Sequence, residues 1–286
     1  MKIFITGKNG FIAQTLIIRL LEDNHIIETS SQGDDLKLKL EEFQPDIIYH
    51  LAAETITNDK MVESNILLTH IILEYCRHNP IKKLLVFGSS SEYGRKTVPI
   101  KETDLLEPQT MYEGTKACAT LLSRCYAYTY NIPTTVIRPM SVYGPLEKPN
   151  KFMTLLFSKK LKYLNEAYHD WIYIDDFIEG TLTVMNYEEV EIFNIVNIGY
   201  GKQYSNTFIM KEVEKLMDYK FNCVIGEIKG KVYDSMSWVC DPTLLNNKYK
   251  FFPKYTIQEG LATQYHTFKK SLISEQTLST SSTDIP

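Results

Sequence analysis

Short apolar runs alternate with longer amphipathic stretches from the first residue to about position 200. Lys2 to Thr6 is a short apolar strand, and a helix follows whose apolar positions are Phe11, Ile12, Leu16, Ile17, Leu20 and Leu21. The pattern then predicts a strand from His25 to about Thr29, a helix over Leu36 to Phe43 and a strand within Pro45 to Ala53. Next come a helix from about Met61 to His78, a buried strand beginning at Leu84, a helix over Tyr112 to Asn131 and a strand from Thr134 to Arg138. Strands and helices in this rhythm build a parallel sheet covered on both faces, an α/β doubly wound architecture.

Beyond Pro145 the rhythm changes. Lys148 to Leu164 is basic and amphipathic, with Phe152, Leu155, Leu156 and Leu161 predicting a helix. Tyr168 to Phe177 leads into another helix, and Phe193 to Ile198 is a further strand. The expected division is a dinucleotide-binding domain over 1–145 and 171–198, with a smaller α/β substrate lobe over 146–170 and 199–270. Residues 271–286, rich in Ser and Thr with little apolar content, are expected to form a disordered tail.

Composition narrows the function classes. With 286 residues, 44% of them hydrophobic and 23% charged, the chain can bury the full core of an ordinary soluble enzyme. A net charge of -4 argues against a broad nucleic-acid or membrane surface while leaving room for a local anion site. The five cysteines are scattered without a C-x-x-C pair, which points to reduced thiols, and the six histidines lack metal-ligand spacing. Lys8, Asn9, Gly10, Gln14 and Arg19 interrupt the apolar N-terminus well short of a membrane span, so the cytosol is the expected location.

The first strand runs straight into Gly7-Lys8-Asn9-Gly10-Phe11-Ile12-Ala13, a G-x-x-G-x-x-A turn opening a helix. Glycines let backbone approach a pyrophosphate, and the helix N-terminus presents free N–H groups. Gly7, Asn9, Gly10, Phe11 and Ile12 are therefore candidate cofactor contacts on a Rossmann-like sheet. Ser30 and Ser31 stand at the end of the second strand, where an NAD enzyme usually carries an acid for the adenosine ribose, and Glu28 falls too early. The missing carboxylate favours NADP, with NAD as the alternative. Leu51, Ala52 and Ala53 end the third strand with small side chains that let a cofactor lie across the sheet edge.

The central strand ends in Gly88-Ser89-Ser90-Ser91-Glu92-Tyr93-Gly94, and the next helix opens with Tyr112-Glu113-Gly114-Thr115-Lys116. Four residues apart on a helix, Tyr112 and Lys116 share a face. The ammonium favours the phenolate and draws the tyrosine's pKa towards working pH, while a serine hydrogen-bonds the same substrate oxygen. Tyr265 and Lys269 repeat the spacing without that context. A serine hydrolase is excluded, because Gly88-Ser89-Ser90 is not G-x-S-x-G.

Over roughly residues 1–260 the chain resembles the extended short-chain dehydrogenase/reductases that modify nucleotide sugars. The matching motifs are Thr6-Gly7-x-x-Gly10-Phe11-Ile12-Ala13, His50-Leu51-Ala52-Ala53, Asn65, the serine strand end, Tyr112-x-x-x-Lys116, Arg138-Pro139-x-x-Val142-Tyr143-Gly144-Pro145 and Asp170-Trp171-Ile172-Tyr173-Ile174-Asp175-Asp176. The resemblance implies that Tyr112 is the acid/base, that Lys116 holds the nicotinamide ribose, and that Ser90 assists. Ser89 is the alternative to Ser90, since the segment before Tyr93 is one residue shorter than the usual S-S-x-x-x-Y-G. It also implies Pro139 at the nicotinamide end and homodimers through helices 61–78 and 112–131. A nucleoside diphosphate sugar would bind in the second lobe, with Ser89, Ser90, Glu92, Tyr112 and Asn150 among its contacts. Two features depart from the pattern. His169 replaces a common arginine, and Lys229 and Lys231 stand nearest to where another arginine usually grips the diphosphate.

Ser90-Ser91-Glu92 resembles the hydroxyl-Ser-Glu triplet of GDP-mannose 4,6-dehydratases, in which the glutamate removes the sugar's C5 proton. Oxidation at C4 acidifies the C5–H, a strand-end carboxylate abstracts it, and loss of the C6 hydroxyl as water follows. On this basis the expected catalytic set is Tyr112, Lys116, Ser90, Glu92 and Ser91. The expected activity is a nucleotide-sugar 4,6-dehydratase acting on a UDP-N-acetylhexosamine such as UDP-GlcNAc. The alternatives are a 4-epimerase or 4-keto reductase, which need Ser, Tyr and Lys but no C5 base, and more remotely a non-catalytic NADP-sensing protein.

Overall fold

In a computed structural model of the chain, residues 1–226 and 237–281 are described, with side chains described through Lys270. The first part runs β1 (Lys2–Thr6), α1 (Phe11–Glu22), β2 (Ile26–Ser30), α2 (Leu36–Phe43), β3 (Ile47–His50), α3 (Asn58–Met61), a π-helical turn (Val62–Leu67), α4 (Leu68–His78) and β4 (Lys83–Phe87). A 3₁₀ turn (Ser90–Tyr93), α5 (Met111–Tyr130), β5 (Thr134–Pro139) and β6 (Ser141–Tyr143) follow. The remainder is α6 (Phe152–Phe157), β7 (Tyr163–Leu164), β8 (Tyr168–Tyr173), α7 (Ile174–Asn186), β9 (Phe193–Ile198), β10 (Gln203–Ser205), α8 (Asn206–Met217), β11 (Val224–Ile225), α9 (Thr243–Asn247) and α10 (Ile257–Ser281).

Among the described residues, six parallel strands form one sheet in the order β2-β1-β3-β4-β5-β9. This is a Rossmann-like α/β sheet. Its central strands are buried along their whole length because helices cover both faces: every residue of β3 and β4 is buried, His50 and Lys83 included. One core cluster gathers Ile3, Ile5, Leu16, Leu85 and Phe177 on one face, and another gathers Phe4, Leu40, Ile72, Leu84 and Val136 on the other. The alternation of Ile3, Phe4 and Ile5 between the two is the period of two that a two-sided strand imposes.

A second sheet, β10-β8-β6, stands outside the first, and β7 pairs with β11. It pairs Ser141–Tyr143 with Trp171–Tyr173 and Gln203–Ser205 with Tyr168–Asp170, so that β8 is continuous through position 170.

Three expected elements are corrected. The helix over 148–164 contracts to Phe152–Phe157, because Ser158 breaks the helical backbone, Lys159 turns left-handed at φ 58°, and Tyr163–Leu164 becomes a strand. The helix expected from Met61 begins at Asn58 and carries a π turn, which the apolar pattern does not reveal. The backbone of the expected disordered tail is helical as far as Ser281, as a continuation of α10. No helix among the described residues is long and apolar enough to cross a membrane.

Candidate active site

The phosphate-type turn lies between β1 and α1. Gly7 adopts φ +77°, and a Cβ there would stand 2.8 Å from the Ala52 Cα, so only glycine allows the turn to close against the end of β3. The amides of Gly7 and Lys8 donate to the Ser30 carbonyl at 2.9 and 3.2 Å, and Gly10 donates to Gly7 at 2.9 Å. Helix α1 then starts at Gly10 with no capping side chain and no acid in its first turn. Its leading N–H groups, with Phe11 and Ile12 the first two residues, are left to an anion. These residues fit the diphosphate of a dinucleotide.

A buried hydrogen-bond chain aligns this turn with the catalytic helix. The Thr6 hydroxyl accepts from the Ala52 amide at 3.1 Å and meets His50 Nδ1 at 2.8 Å. His50 Nε2 meets the Thr69 hydroxyl at 2.8 Å, and Thr69 donates to the Asn65 carbonyl at 2.7 Å. With its proton given to Asn65, Thr69 must accept from His50, which fixes the neutral Nε2–H tautomer. Burial, with Lys116 adding its charge, pushes the imidazole down to about 3. The Asn65 amide holds both backbone groups of Glu54 and donates to the Thr115 hydroxyl at 3.0 Å, which in turn donates to the Tyr112 carbonyl. The π turn places Asn65 for this role, and Leu51, Ala52 and exposed Ala53 lie on the loop it anchors.

At the end of β4 the structure brings Ser89, Tyr112 and Lys116 together. The Ser89 hydroxyl hydrogen-bonds the Tyr112 phenol. Lys116 is buried and donates to the Phe87 carbonyl, two residues before Ser89, and burial draws its ammonium down to about 8. Tyr112 is pushed upward by burial, with Ser89 opposing and the Glu92 charge adding to the rise. The expected lowering by Lys116 is not what this geometry produces, because the ammonium is turned to a backbone carbonyl.

Of the two adjacent serines, Ser89 is the one that meets Tyr112. Ser90 is buried and accepts from the Trp238 indole N–H at 3.3 Å. The missing residue before Tyr93 tightens the segment into a 3₁₀ turn with Ser89 as its cap, which turns Ser89 rather than Ser90 towards Tyr112. The Ser91 hydroxyl lies 2.7 Å from that of Ser89.

Glu92 forms a buried ion pair. Its carboxylate is fully buried, with one oxygen accepting from Arg138 Nε at 3.0 Å and Nη2 at 2.7 Å. The other accepts from the Ser89 amide at 2.7 Å. Arg138 lies over the Tyr93 ring at 4.4 Å, and the Tyr93 hydroxyl donates to Asn197 at 2.9 Å. Both carboxylate oxygens are thus engaged within the protein.

The strand-end charge is present after all. Asp34 accepts from the Ser31 amide at 2.9 Å, which holds its carboxyl below the usual range. Ser30 itself is buried, and the contribution seen for it is its carbonyl to Gly7 and Lys8. The sequence reading stopped at the two serines; the signal passed over was the Gly33-Asp34-Asp35 turn, in which Asp35 caps α2 and leaves Asp34 to β2. Pro139 closes β5 beside Ile198. Asn150 stands exposed in the turn before α6, and no contact among the described residues joins it to Tyr112. Lys229 and Lys231 lie outside the described residues.

A Rossmann-like sheet with a serine, a tyrosine and a lysine converging at one strand end defines a dinucleotide-dependent enzyme of the extended short-chain type. The chain belongs to the NAD dependent epimerase/dehydratase family, whose model matches residues 3–199. It is similar to Protein CapI of Staphylococcus aureus, 31% identical over 226 residues covering 63% of this chain and 68% of that one. It is also similar to a probable UDP-glucuronate 4-epimerase of Rhizobium meliloti, at 25% identity over 92% of this chain and 95% of the relative. A dTDP-D-glucose 4,6-dehydratase of Dictyostelium discoideum is 28% identical over 59% of this chain and 44% of its own. Among solved structures, UDP-glucuronic acid 4-epimerase from Bacillus cereus, in complex with UDP-glucuronic acid and NAD, shares the fold with a TM-score of 0.85. It is 24% identical and covers 95% of this chain and 100% of its own.

Proposed function

We propose that the protein is an NAD-dependent nucleotide-sugar 4-epimerase acting on a UDP-linked hexose or hexuronate. The observation that carries this reading is the closed Glu92–Arg138 pair, which withdraws the carboxylate a 4,6-dehydratase of the expected type would need at C5. Chemistry at C4 requires only the three residues that do converge. A nicotinamide cofactor held at the β1–α1 turn would supply the hydride acceptor and donor for C4, and inversion would follow from hydride return to the opposite face of the 4-keto sugar. Tyr112 accepts the proton of the 4-hydroxyl and gives it back, with Ser89 hydrogen-bonding the same oxygen and steadying the phenol. Lys116, one helical turn beyond Tyr112 and already lowered by burial, holds the ribose when it leaves the Phe87 carbonyl. NAD is favoured over NADP because the Asp34 carboxylate stands at the β2 end, where a 2′-phosphate would meet like charge. The names of the Rhizobium and Bacillus proteins support the choice of sugar.

The enzyme acts as a homodimer through α4 and α5. Met111, Cys118, Leu121, Cys125 and Tyr128 are exposed along α5, the first step being seven residues and the rest three or four, and Leu67 and Ile71 are exposed as well. An apolar seam of that period suits a second helix pair of the same kind.

Mass spectra and proton NMR of UDP-glucuronate, UDP-glucose, UDP-GlcNAc and dTDP-glucose, each incubated with enzyme and NAD⁺, test the reading. The expected product has unchanged mass and an inverted C4 signal, with no solvent deuterium at C5 in D₂O. Loss of one water from any of the four, with deuterium at C5, would return the dehydratase.

A further inference from the structure

Residues 238–241 run between the loop after β4 and the second sheet. Ile100 donates to the Val239 carbonyl at 2.8 Å, and Asp241 donates to that of Ile100 at 2.9 Å, so the segment adds a short parallel bridge to the loop after β4. On its other side the Cys240 amide donates to Asp170 at 3.1 Å, and the Trp238 amide donates to the Gln203 side chain at 2.7 Å. Cys240 packs in a cluster with Tyr93, Ile100 and Met140, the residue that follows Pro139 at the end of β5, and Trp238 lies against the same cluster. The indole N–H reaches Ser90, next to the Ser89 that holds Tyr112. Four attachments to two parts of the fold thus fix one half-buried aromatic ring against Ser90, the neighbour of Ser89.

An aromatic ring fixed by its edge and its backbone loses little entropy on binding, and its face suits the C–H surface of a pyranose ring. We propose that Trp238 is a specificity-determining residue, the wall against which the sugar ring of the substrate packs while its 4-hydroxyl meets Ser89 and Tyr112. The assignment rests on the nucleotide-sugar reading given above and adds a residue to it that neither the serine turn nor the Tyr112 motif contains. Its requirement is for the sugar, not the nucleotide. Binding of free nucleoside diphosphate should therefore be indifferent to Trp238.

The chain has two tryptophans. Trp171 is buried and stacked on Phe152, so ligand-dependent emission should come from Trp238. UDP-glucuronate, UDP-glucose and dTDP-glucose would be titrated into the NAD-loaded full chain against UDP and dTDP, by fluorescence and by calorimetry. Wild type should show a sugar-dependent emission change. W238F should lose that change while calorimetry still detects binding, because the ring face remains. W238A should bind the sugar nucleotides about tenfold more weakly and the free diphosphates within about twofold of wild type. An emission change that persists in W238F, or equal weakening of both ligand classes in W238A, overturns the assignment. If no nucleotide sugar gives heat with wild type, the substrate reading falls and this inference falls with it.

Discussion

Glu92 and Arg138 close a buried ion pair beneath Ser89, with exposures of 0% and 1%, and the same carboxylate accepts the Ser89 amide. The pair joins the ends of β4 and β5 under the group that holds Tyr112. Burying two charges is costly, and the two-pronged contact of Nε and Nη2 with one carboxylate oxygen offsets part of the desolvation while Nη1 is left without a partner among the described residues. Glu92 also contributes a negative charge that raises Tyr112. Turnover that needs the phenolate rises with pH through the Tyr112 pKa. Removing the negative charge lowers that pKa, so the ascending limb of kcat/KM in Glu92→Gln should move to lower pH. Arg138 would be left buried without its partner, at a cost of about 3–5 kcal/mol. The double variant Glu92→Gln/Arg138→Gln should recover much of that stability and keep the displaced limb. A wild-type pH profile in both variants would show that the pair has no electrostatic reach to Tyr112.

Gly88 is the residue that makes room for this pair. A Cβ at this position would lie 2.4 Å from Glu92 Oε1 and 3.2 Å from the Arg138 Cγ. Gly88→Ala should therefore displace the carboxylate and with it the Ser89 amide. Urea unfolding should show a loss on the order of that for breaking the pair, about 3–5 kcal/mol, and kcat should fall with it. The same change at Gly114, where a Cβ meets nothing within 4 Å, should cost no stability and serves as the control.

The sheet was legible because each strand and helix carries its own period: β1, α2 and β9 fall on their expected residues. So was the shared helix face of Tyr112 and Lys116, a spacing that Tyr265 and Lys269 repeat without the serine strand end before it. What misled was contact across elements. Glu92 carries no sign that Arg138, 46 residues on, will claim it, and the choice between Ser89 and Ser90 turns on one residue of loop length. Asp34 reaches Ser31 only because the chain folds back after Gly33. Trp238 meets Ser90 across 148 residues, a contact that no local pattern encodes.

Asp34 gives the cofactor prediction. Its carboxylate faces the β2 end, and a 2′-phosphate there would pay like-charge repulsion. Cofactor released by denaturation should be NAD(H). Asp34→Asn keeps an acceptor for the Ser31 amide and removes the charge, so the ratio of kcat/KM for NADP⁺ over NAD⁺ should rise about tenfold or more. A predominance of NADP(H) in wild type would overturn the assignment.

The exposed seam on α5 predicts that a charge at its centre separates the protomers. Leu121, 52% exposed in the single chain, is the central position. Leu121→Asp should halve the mass seen by light scattering while leaving the monomer's unfolding midpoint close to that of the dissociated wild type. A wild-type mass that is already monomeric at micromolar concentration would remove this interface.

The last prediction separates two adjacent serines. Ser89 hydrogen-bonds the Tyr112 phenol, whereas Ser90 accepts from the Trp238 indole. Tyr112→Phe should bind NAD normally and lower kcat by about 10²–10⁴-fold, the usual effect of losing a positioned acid/base. Ser89→Ala should lower kcat with little change in cofactor affinity, because the sugar oxygen and the phenol both lose their hydrogen-bond partner. Ser90→Ala loses only the bond to Trp238, so its effect should appear in KM for the sugar nucleotide rather than in kcat. Steady-state kinetics of the three variants on one substrate decide the matter. A Ser90→Ala enzyme with the larger fall in kcat would exchange the two roles. Tyr265→Phe, which alters a ring stacked on Phe157, should leave turnover unchanged.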